Sequence, residues 1–186
     1  NAFLEYLEFE KKYSKHTVKA YKSDLIDFRD FCITEFNQSE ISNIHYNQIR
    51  TWLVYLVDNK VSNRSVNRKV SSLKSFYKFL LKTKTIQLNP LSKHKALKVQ
   101  QKKQVPFDQK EIEDVLFLMN DENDFESVRD KLIVELLYST GIRRAELIQI
   151  KEENVDFRNA KIKVLGKRNK ERYITILPSV LKTLNR

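Results

Sequence analysis

The stretch YSTGIRRAELIQI, residues 138–150, decides how the C-terminal half of the chain is organised. It contains Gly141, one of only two glycines in 186 residues, followed by Arg143 and Arg144 where the apolar pattern predicts the start of a helix. Cations at a helix start face the positive end of the helix dipole, which costs roughly 0.3–1 kcal/mol each. We therefore expect Gly141 to end one helix and the arginines to be placed there for an anionic partner.

The second glycine lies in VLGKRNKERYITI, residues 164–176, and cations also follow it directly. Gly166 fits the end of a strand that enters a hairpin turn. Arg143 and Glu146 are three residues apart, so they share a helix face, and the carboxylate can hold the guanidinium in one orientation. An Arg–Glu pair is also common on plain helix surfaces, but the combination of the two stretches is far more specific for an anion-binding site.

The pattern around these stretches predicts helices and a small sheet. Helical periodicity covers DQKEIEDVLFLM, ESVRDKLIVELLYSTG and the short RRAELIQI. NVDF, AKIKVLG and ERYITIL are typical of three short antiparallel strands, because their apolar residues alternate with polar ones. PSVLKTL begins another helix, with Pro178 in the favoured first turn. The predicted fold class is mainly α with a small antiparallel sheet.

Roughly the first 85 residues are predicted to be helices alone. Ser14 is a candidate N-cap for the helix in SKHTVKAYKSDLIDFRDFCITEF, and the apolar stripe of YNQIRTWLVYLVDN places Trp52 in the core. A fourth helix spans about residues 63–82. Opposite its apolar stripe lie basic and small hydroxyl residues, which fit a helix that enters a groove, although an ordinary polar surface has the same composition.

The positive charge belongs to the first part of the chain. Residues 1–105 contain 20 Lys/Arg against 9 Asp/Glu, whereas residues 106–186 contain 15 of each. Residues 59–107 hold 13 basic residues and no acidic one, which indicates a polyanionic partner. Nucleic acid is favoured over an anionic membrane surface and over charge kept only for solubility. No apolar run is long enough to cross a membrane, so we expect a cytoplasmic protein.

The sequence offers little for a metal or a cofactor. Cys32 is the only cysteine and lies in an apolar pattern, so we expect it in the core. The three histidines are far apart and have no ligand spacing. Pro90 and Pro106 bracket a basic, weakly patterned segment, which predicts a domain boundary there. We assign residues 1–88 to a helical domain, 89–105 to a basic linker and 106–186 to a second domain.

YSTGIRRAELIQI together with VLGKRNKERYITI resembles the catalytic-domain signature of the tyrosine recombinases, also called the phage integrase family, most closely its Xer-type branch. SKHTVKAYKSDL and VNRKVSSLKSFYKFL are similar to that family's SAM-like core-binding domain. The resemblance implies a core-binding domain followed by the N-terminal part of an α+β catalytic domain. It also implies recombination of double-stranded DNA through a 3′-phosphotyrosyl link, by tetramers and without any cofactor.

Carried over by position, the resemblance implies roles for three residues at the reacting phosphate. Arg143 would stabilise charge on its non-bridging oxygens, and Lys167 would protonate the leaving 5′-oxygen. Glu146 would support the site by orienting its neighbours. The side chains expected to bind DNA are Thr17, Lys19, Lys22, Arg64, Ser65, Arg68, Lys69, Ser72, Lys74, Lys95, Lys98, Arg144, Arg168 and Lys170.

The family's His-x-x-Arg box and nucleophilic tyrosine are expected after the helix at Pro178, and the sequence given ends at Arg186. Tyr138 and Tyr173 fall in helix and strand core patterns, so we do not expect either to replace the nucleophile. These 186 residues are therefore predicted to bind DNA without cleaving it. The alternative is a non-catalytic DNA-binding relative that occupies or regulates recombination sites. RNA binding is disfavoured, because the basic segment has no aromatic platform for stacking.

Overall fold

The computed structural model describes residues 2–101, 103–119, 124–166 and 170–185. The chain divides into two compact units, Asn1–Lys102 and Lys103–Arg186, each with its own hydrophobic core. The domain boundaries predicted from the sequence, residues 1–88, 89–105 and 106–186, stay a prediction. Within the described ranges, no helix is long and apolar enough to cross a membrane.

The first unit is helical throughout. Its elements are α1 (Ala2–Glu5), continued by a π turn (Tyr6–Glu10), α2 (Lys15–Phe36), a 3-10 turn (Ile41–Asn43), α3 (Tyr46–Asp58) and α4 (Asn63–Lys82). Helix α2 begins where the Ser14 hydroxyl accepts a hydrogen bond from the Thr17 backbone N–H at 3.3 Å, which confirms the predicted N-cap. It ends at Asn37, whose φ of 50° lies in the left-handed region.

The core of the first unit consists of the apolar stripes of α2, α3 and α4. Trp52 is 1% exposed, and its ring centroid lies 4.9 Å from that of Phe28 with the two rings tilted by 57°. Cys32 is fully buried, and burial raises the pKa of its thiol to about 11, so it stays a neutral core residue as predicted. Tyr77 is also fully buried, and its hydroxyl donates to the Ile41 carbonyl at 2.8 Å.

The second unit combines helices with a sheet. Its elements are α5 (Gln109–Leu118), α6 (Phe125–Thr140), α7 (Arg144–Leu147), a 3-10 turn (Glu152–Asn154), β1 (Val155–Asp156), β2 (Lys161–Leu165), β3 (Glu171–Thr175) and α8 (Pro178–Leu184). The strands pair antiparallel in the order β1-β2-β3, with Ile162 opposite both Val155 and Ile174. The fold class predicted from the sequence is therefore confirmed.

The apolar face of the sheet forms the second core with α6 and α8. Two tyrosines that were assigned to core patterns lie outside it: Tyr138 is 54% exposed and Tyr173 is 68% exposed. Tyr138 follows the buried Leu136 by two residues, a rotation of about 200° around a helix, and so faces away from the core. Tyr173 precedes the inward-facing Ile174, and neighbouring strand residues point to opposite faces of a sheet.

Candidate functional site

Glu146 is the centre of a charged cluster in the second unit. Its side chain is only 4% exposed, and two arginines donate hydrogen bonds to it. Oε1 accepts from the Arg143 guanidinium at 2.7 Å. Oε2 accepts from the Arg143 backbone N–H at 2.9 Å and from the Arg172 guanidinium at 2.8 Å. The structure thus brings together the two residues paired from the sequence and adds a third.

The electrostatics of this cluster favour an anionic ligand. The backbone N–H of Arg143 lowers the pKa of Glu146 below its ordinary value, helped by both guanidinium groups and opposed by burial. The carboxylate is therefore ionised at neutral pH, and two guanidinium groups against one carboxylate leave a net positive charge. The side chains of Arg143 and Arg172 remain 63% and 44% exposed, so each has further N–H groups to offer.

Gly141 places Arg143 at the edge of the second core. Its φ of +60° closes α6, and its N–H donates to the Leu137 carbonyl at 3.2 Å. Ile142 is then buried, and Arg143 is extended (φ −76°, ψ 145°) immediately before α7. Because α7 spans only four residues and carries Glu146 in its first turn, a carboxylate of the chain itself offsets the repulsion between Arg143 and the helix dipole.

Gly166 allows the base of the β2–β3 hairpin to approach this cluster. Its N–H donates to the Lys170 carbonyl at 2.7 Å. A Cβ at this position would lie 3.2 Å from that carbonyl oxygen and 3.3 Å from Oε1 of Glu146. The hairpin therefore leaves the sheet directly beside the Glu146 carboxylate. Lys167 and Arg168, the two site residues predicted at its tip, lie outside the described residues.

Arg172 is the cluster member that the sequence analysis did not assign to the site. It pairs with Val164 across the β2–β3 ladder, so both side chains lie on the core-facing side of the sheet. The signal was present in ERYITI, where Arg172, Ile174 and Ile176 alternate on one face. A cationic side chain on the core-facing side of a strand needs a buried anion as its partner, and Glu146 is that anion.

The side chains expected to bind DNA fall into two groups in the structure. Lys19, Lys22, Arg64, Lys95 and Lys98 in the first unit are exposed, as are Arg144 and Lys170 in the second. The other members of the set that the structure describes contact groups of their own unit. Thr17 is half-buried with its hydroxyl 2.9 Å from that of Ser14, and the Ser65 hydroxyl accepts from Ser62 at 3.0 Å.

A buried aspartate, Asp24, draws three of the expected DNA-binding residues inward. Its side chain is 2% exposed and lies between α2 and α4. Arg68 donates to both of its oxygens, at 2.6 and 2.9 Å. Lys69 donates to it at 3.2 Å and to Asp27 at 2.6 Å, and the Ser72 hydroxyl donates at 2.6 Å. Helix α4 is thus tied to α2 by charge as well as by its apolar stripe.

These contacts show that several polar residues of α4, predicted from the sequence to face DNA, are bonded within the first unit. Ser72 is fully buried and its hydroxyl donates to Asp24, so the structure does not offer it to DNA as the sequence analysis expected. Lys69 has only 14% of its side chain exposed, and Lys74 donates to the His94 carbonyl at 3.2 Å. Arg68 keeps 49% of its side chain exposed, so it still faces solvent beside its bond to Asp24. Among the α4 side chains expected to bind DNA, the exposed cations are Arg64 and Arg68.

Among residues 2–101, 103–119, 124–166 and 170–185, no group of three or more His, Cys, Asp or Glu side chains is arranged to hold a metal ion. The candidate site is a cationic cluster built on the buried carboxylate of Glu146.

Comparison with known sequences places this arrangement in one family. Residues 1–84 match the profile described as "Phage integrase, N-terminal SAM-like domain", and residues 105–186 match "Phage integrase family". The chain belongs to the phage integrase family, the tyrosine recombinases.

Within that family the similar relatives are of the Xer type. "Tyrosine recombinase XerC" of Anoxybacillus flavithermus is 40% identical over 174 residues, which cover 94% of this chain and 57% of the relative. The protein of the same name from Staphylococcus aureus (strain USA300 / TCH1516) is 37% identical over 176 residues, with the same coverage. The chain thus spans 57% of the length of these curated relatives.

Solved structures share the fold at low sequence identity. The Tn1549 transposon integrase in complex with transposon right end DNA superposes with a TM-score of 0.75 at 18% identity, over 99% of this chain and 63% of that one. A lambda integrase dimer bound to a COC′ core site gives a TM-score of 0.65 at 15% identity, over 99% of this chain and 52% of that one.

Proposed function

We propose that the chain supplies the DNA-binding and phosphate-activating parts of a site-specific recombinase acting on double-stranded DNA. The observation that carries the proposal is the Glu146 cluster, which fixes one exposed guanidinium, that of Arg143, beside the base of the hairpin that bears Lys167. A cation held by a buried carboxylate is preorganised for an anion whose charge grows in the transition state.

In this proposal the reaction is a pair of phosphoryl transfers. A tyrosine oxygen attacks the phosphorus as its proton passes to solvent, a phosphotyrosyl bond forms at the 3′ end, and the bond to the 5′-oxygen breaks. Lys167 gives a proton to that leaving oxygen, and Arg143 stabilises the charge on the non-bridging oxygens. Attack by another 5′-hydroxyl reverses these steps and joins the new strands. The complete protein carries this out as a tetramer on two duplexes in the cytoplasm.

We place the nucleophile outside these 186 residues. The sequence contains no His-x-x-Arg box, and no one of its eight tyrosines matches the family's nucleophile position. A DNA duplex with a nick beside the cleavage site, which traps covalent protein, tests this assignment. We expect a non-covalent complex and no covalent adduct. An adduct formed by these residues alone would contradict the assignment, and the absence of any complex at low salt would contradict DNA binding.

The chemistry itself is tested in the protein read from the complete source gene. A downstream His-x-x-Arg box and tyrosine are expected, and Arg143→Ala should lower the rate of covalent trapping by about 10²-fold or more. Arg158→Ala, at the exposed turn after β1, is the matched control and should cleave normally. A gene without those downstream residues would instead establish a non-catalytic DNA-binding relative.

A further inference from the structure

The segment that follows α4 is held to that helix by a ladder of side-chain hydrogen bonds. Residues 94–98, here called the strap, lie along one stripe of α4 formed by Asn63, Asn67 and Lys74. Lys74 donates to the His94 carbonyl at 3.2 Å, and Asn63 donates to the Lys98 carbonyl at 2.8 Å. The contacts are thus made to the strap backbone, and the side chains of Lys95 and Lys98 stay exposed.

Asn67 makes the central contact of this ladder. Its side-chain amide donates to the Leu97 carbonyl at 2.8 Å and accepts from the Leu97 N–H at 2.9 Å. One side chain therefore satisfies both backbone groups of one strap residue, as a neighbouring β-strand would. The apolar contacts agree with this placement, because Leu91 is 1% exposed and Leu97 packs against the first core.

The charged residues of the strap all have one sign, and Lys95 and Lys98 are both exposed. The Lys98 carbonyl accepts a hydrogen bond from the side chain of Asn63, so this bond holds the backbone of Lys98 at the start of α4, where the exposed Arg64 is the next residue. No acidic residue occurs in residues 59–107. Such a surface fits the phosphate backbone of a DNA duplex.

We propose that Asn67 is a positioning residue for DNA binding. By fixing the strap along α4 before DNA arrives, it orders Lys98 near the start of the helix, where Arg64 lies, and Lys95 near Lys74, as one prearranged phosphate-binding surface. The gain comes from conformational entropy, because a strap ordered in the free protein does not have to be ordered on binding. This inference rests on the proposed DNA binding and adds to it the residue that organises the basic segment.

A double-mutant cycle on the 186-residue chain tests the proposal, with a short fluorescent DNA duplex of arbitrary sequence at low salt as the probe. Asn67→Ala should speed amide exchange at Leu97 and raise Kd about three- to tenfold. In the background of Lys95→Ala with Lys98→Ala, the same substitution should leave Kd unchanged, because no cations remain on the strap to be positioned. Asn59→Ala is the matched control, since its amide donates to Tyr55 of its own helix, and it should change neither quantity.

The other outcomes each overturn a defined statement. Faster exchange at Leu97 with an unchanged Kd would show that ordering of the strap does not assist binding. An equal loss of affinity with and without the two lysines would show that Asn67 acts by another route. If the unaltered chain fails to bind the duplex, the proposed function itself fails. Should Asn67→Ala unfold the unit, Asn63→Ala, which removes only the bond to the Lys98 carbonyl, takes its place in the cycle.

Discussion

A buried carboxylate has little access to water, so its hydrogen-bond donors must come from the protein. Glu146 accepts hydrogen bonds from two arginines that lie in different parts of the chain. Arg143 is three residues before it, and Arg172 is 26 residues after it. Removing one partner of a buried charge costs more than an average hydrogen bond, because the remaining charge is left partly uncompensated. Each arginine therefore supports the other's placement through the carboxylate they share.

Arg172→Ala should destabilise the second unit by about 1–3 kcal/mol, because Glu146 loses one of its two guanidinium partners. Amide exchange along β2 measures this free energy within the second unit. Arg172→Lys should recover part of the loss, since it restores the charge without the planar fork. The control is Arg158→Ala, which should change the stability by less than about 0.5 kcal/mol. Equal effects of Arg172→Ala and Arg158→Ala would contradict the role given to the buried carboxylate.

The lowered pKa of Glu146 makes the stability of the second unit depend on pH with a definite sign. A carboxyl group whose pKa is lower in the folded state stabilises the fold above its unfolded pKa, about 4.3, and loses that contribution as the pH falls through the folded value. The stability difference between the unaltered chain and Glu146→Gln should therefore be constant near neutral pH and shrink below about pH 4. Exchange along β2 over a pH series measures it. A difference that grew on acidification would be inconsistent with the pKa direction.

At the scale of elements, α4 shows how one helix serves three neighbours. Its apolar stripe packs on α2 and α3. On a second side, Arg68 bonds Asp24 of α2. On a third side, Asn67 bonds the backbone of the strap. From the sequence, only the apolar stripe was predicted in detail, and the opposite face was described as basic and rich in small hydroxyl residues. Periodicity identifies a buried stripe, but it does not tell which exposed cations are already bound within the protein.

Arg68 and Arg64, about one turn apart on α4, test the difference between a cation bound within the protein and an exposed one. Arg68→Ala should lower the stability of the first unit by about 1–3 kcal/mol, because Asp24 is buried and loses a bidentate partner. Arg64→Ala should leave it within about 0.5 kcal/mol, because that side chain is exposed. The only tryptophan in the sequence, Trp52, lies in this core, so its fluorescence during urea unfolding measures the effect. Equal stabilities of the two variants would contradict the structural role of Arg68.

Prediction from the sequence succeeded for the elements and for the local pair Arg143–Glu146, and it failed for pairs that are distant in sequence. The helix caps at Ser14 and Gly141 and the three strands follow from local chemistry and local periodicity, and the structure has them. The pairing of Asp24 with Arg68 spans 44 residues. Only tertiary packing selects such a partner from the 35 basic residues of the chain. Ser72 shows the reason, because a serine on a polar edge and a serine bonded to a buried aspartate have the same local sequence.

At the scale of the whole chain, the distribution of charge separates the two proposed tasks, which are DNA binding and activation of one phosphate. The net charge of +11 arises from residues 1–105, where basic residues outnumber acidic ones by 20 to 9, whereas the remainder is balanced at 15 of each. A polyanion is therefore attracted mainly by the helical part. In the balanced part, the Glu146 cluster combines two guanidinium groups with one carboxylate, and the proposed function assigns this local positive charge to the reacting phosphate. In this view, affinity for DNA and activation of the phosphate are properties of different residues.

Binding measured over a salt series tests this separation. The unaltered chain should lose affinity steeply with salt, because each phosphate contact releases counterions. Arg64→Ala should raise Kd and reduce the slope of log K against log salt by about 0.9, the share of one contact. Lys167→Ala should leave both nearly unchanged, because the proposed role of Lys167 is to protonate the leaving oxygen during cleavage. Fluorescence anisotropy with the same duplex gives all three curves. Equal losses in the two variants would show that binding and chemistry are not divided in this way.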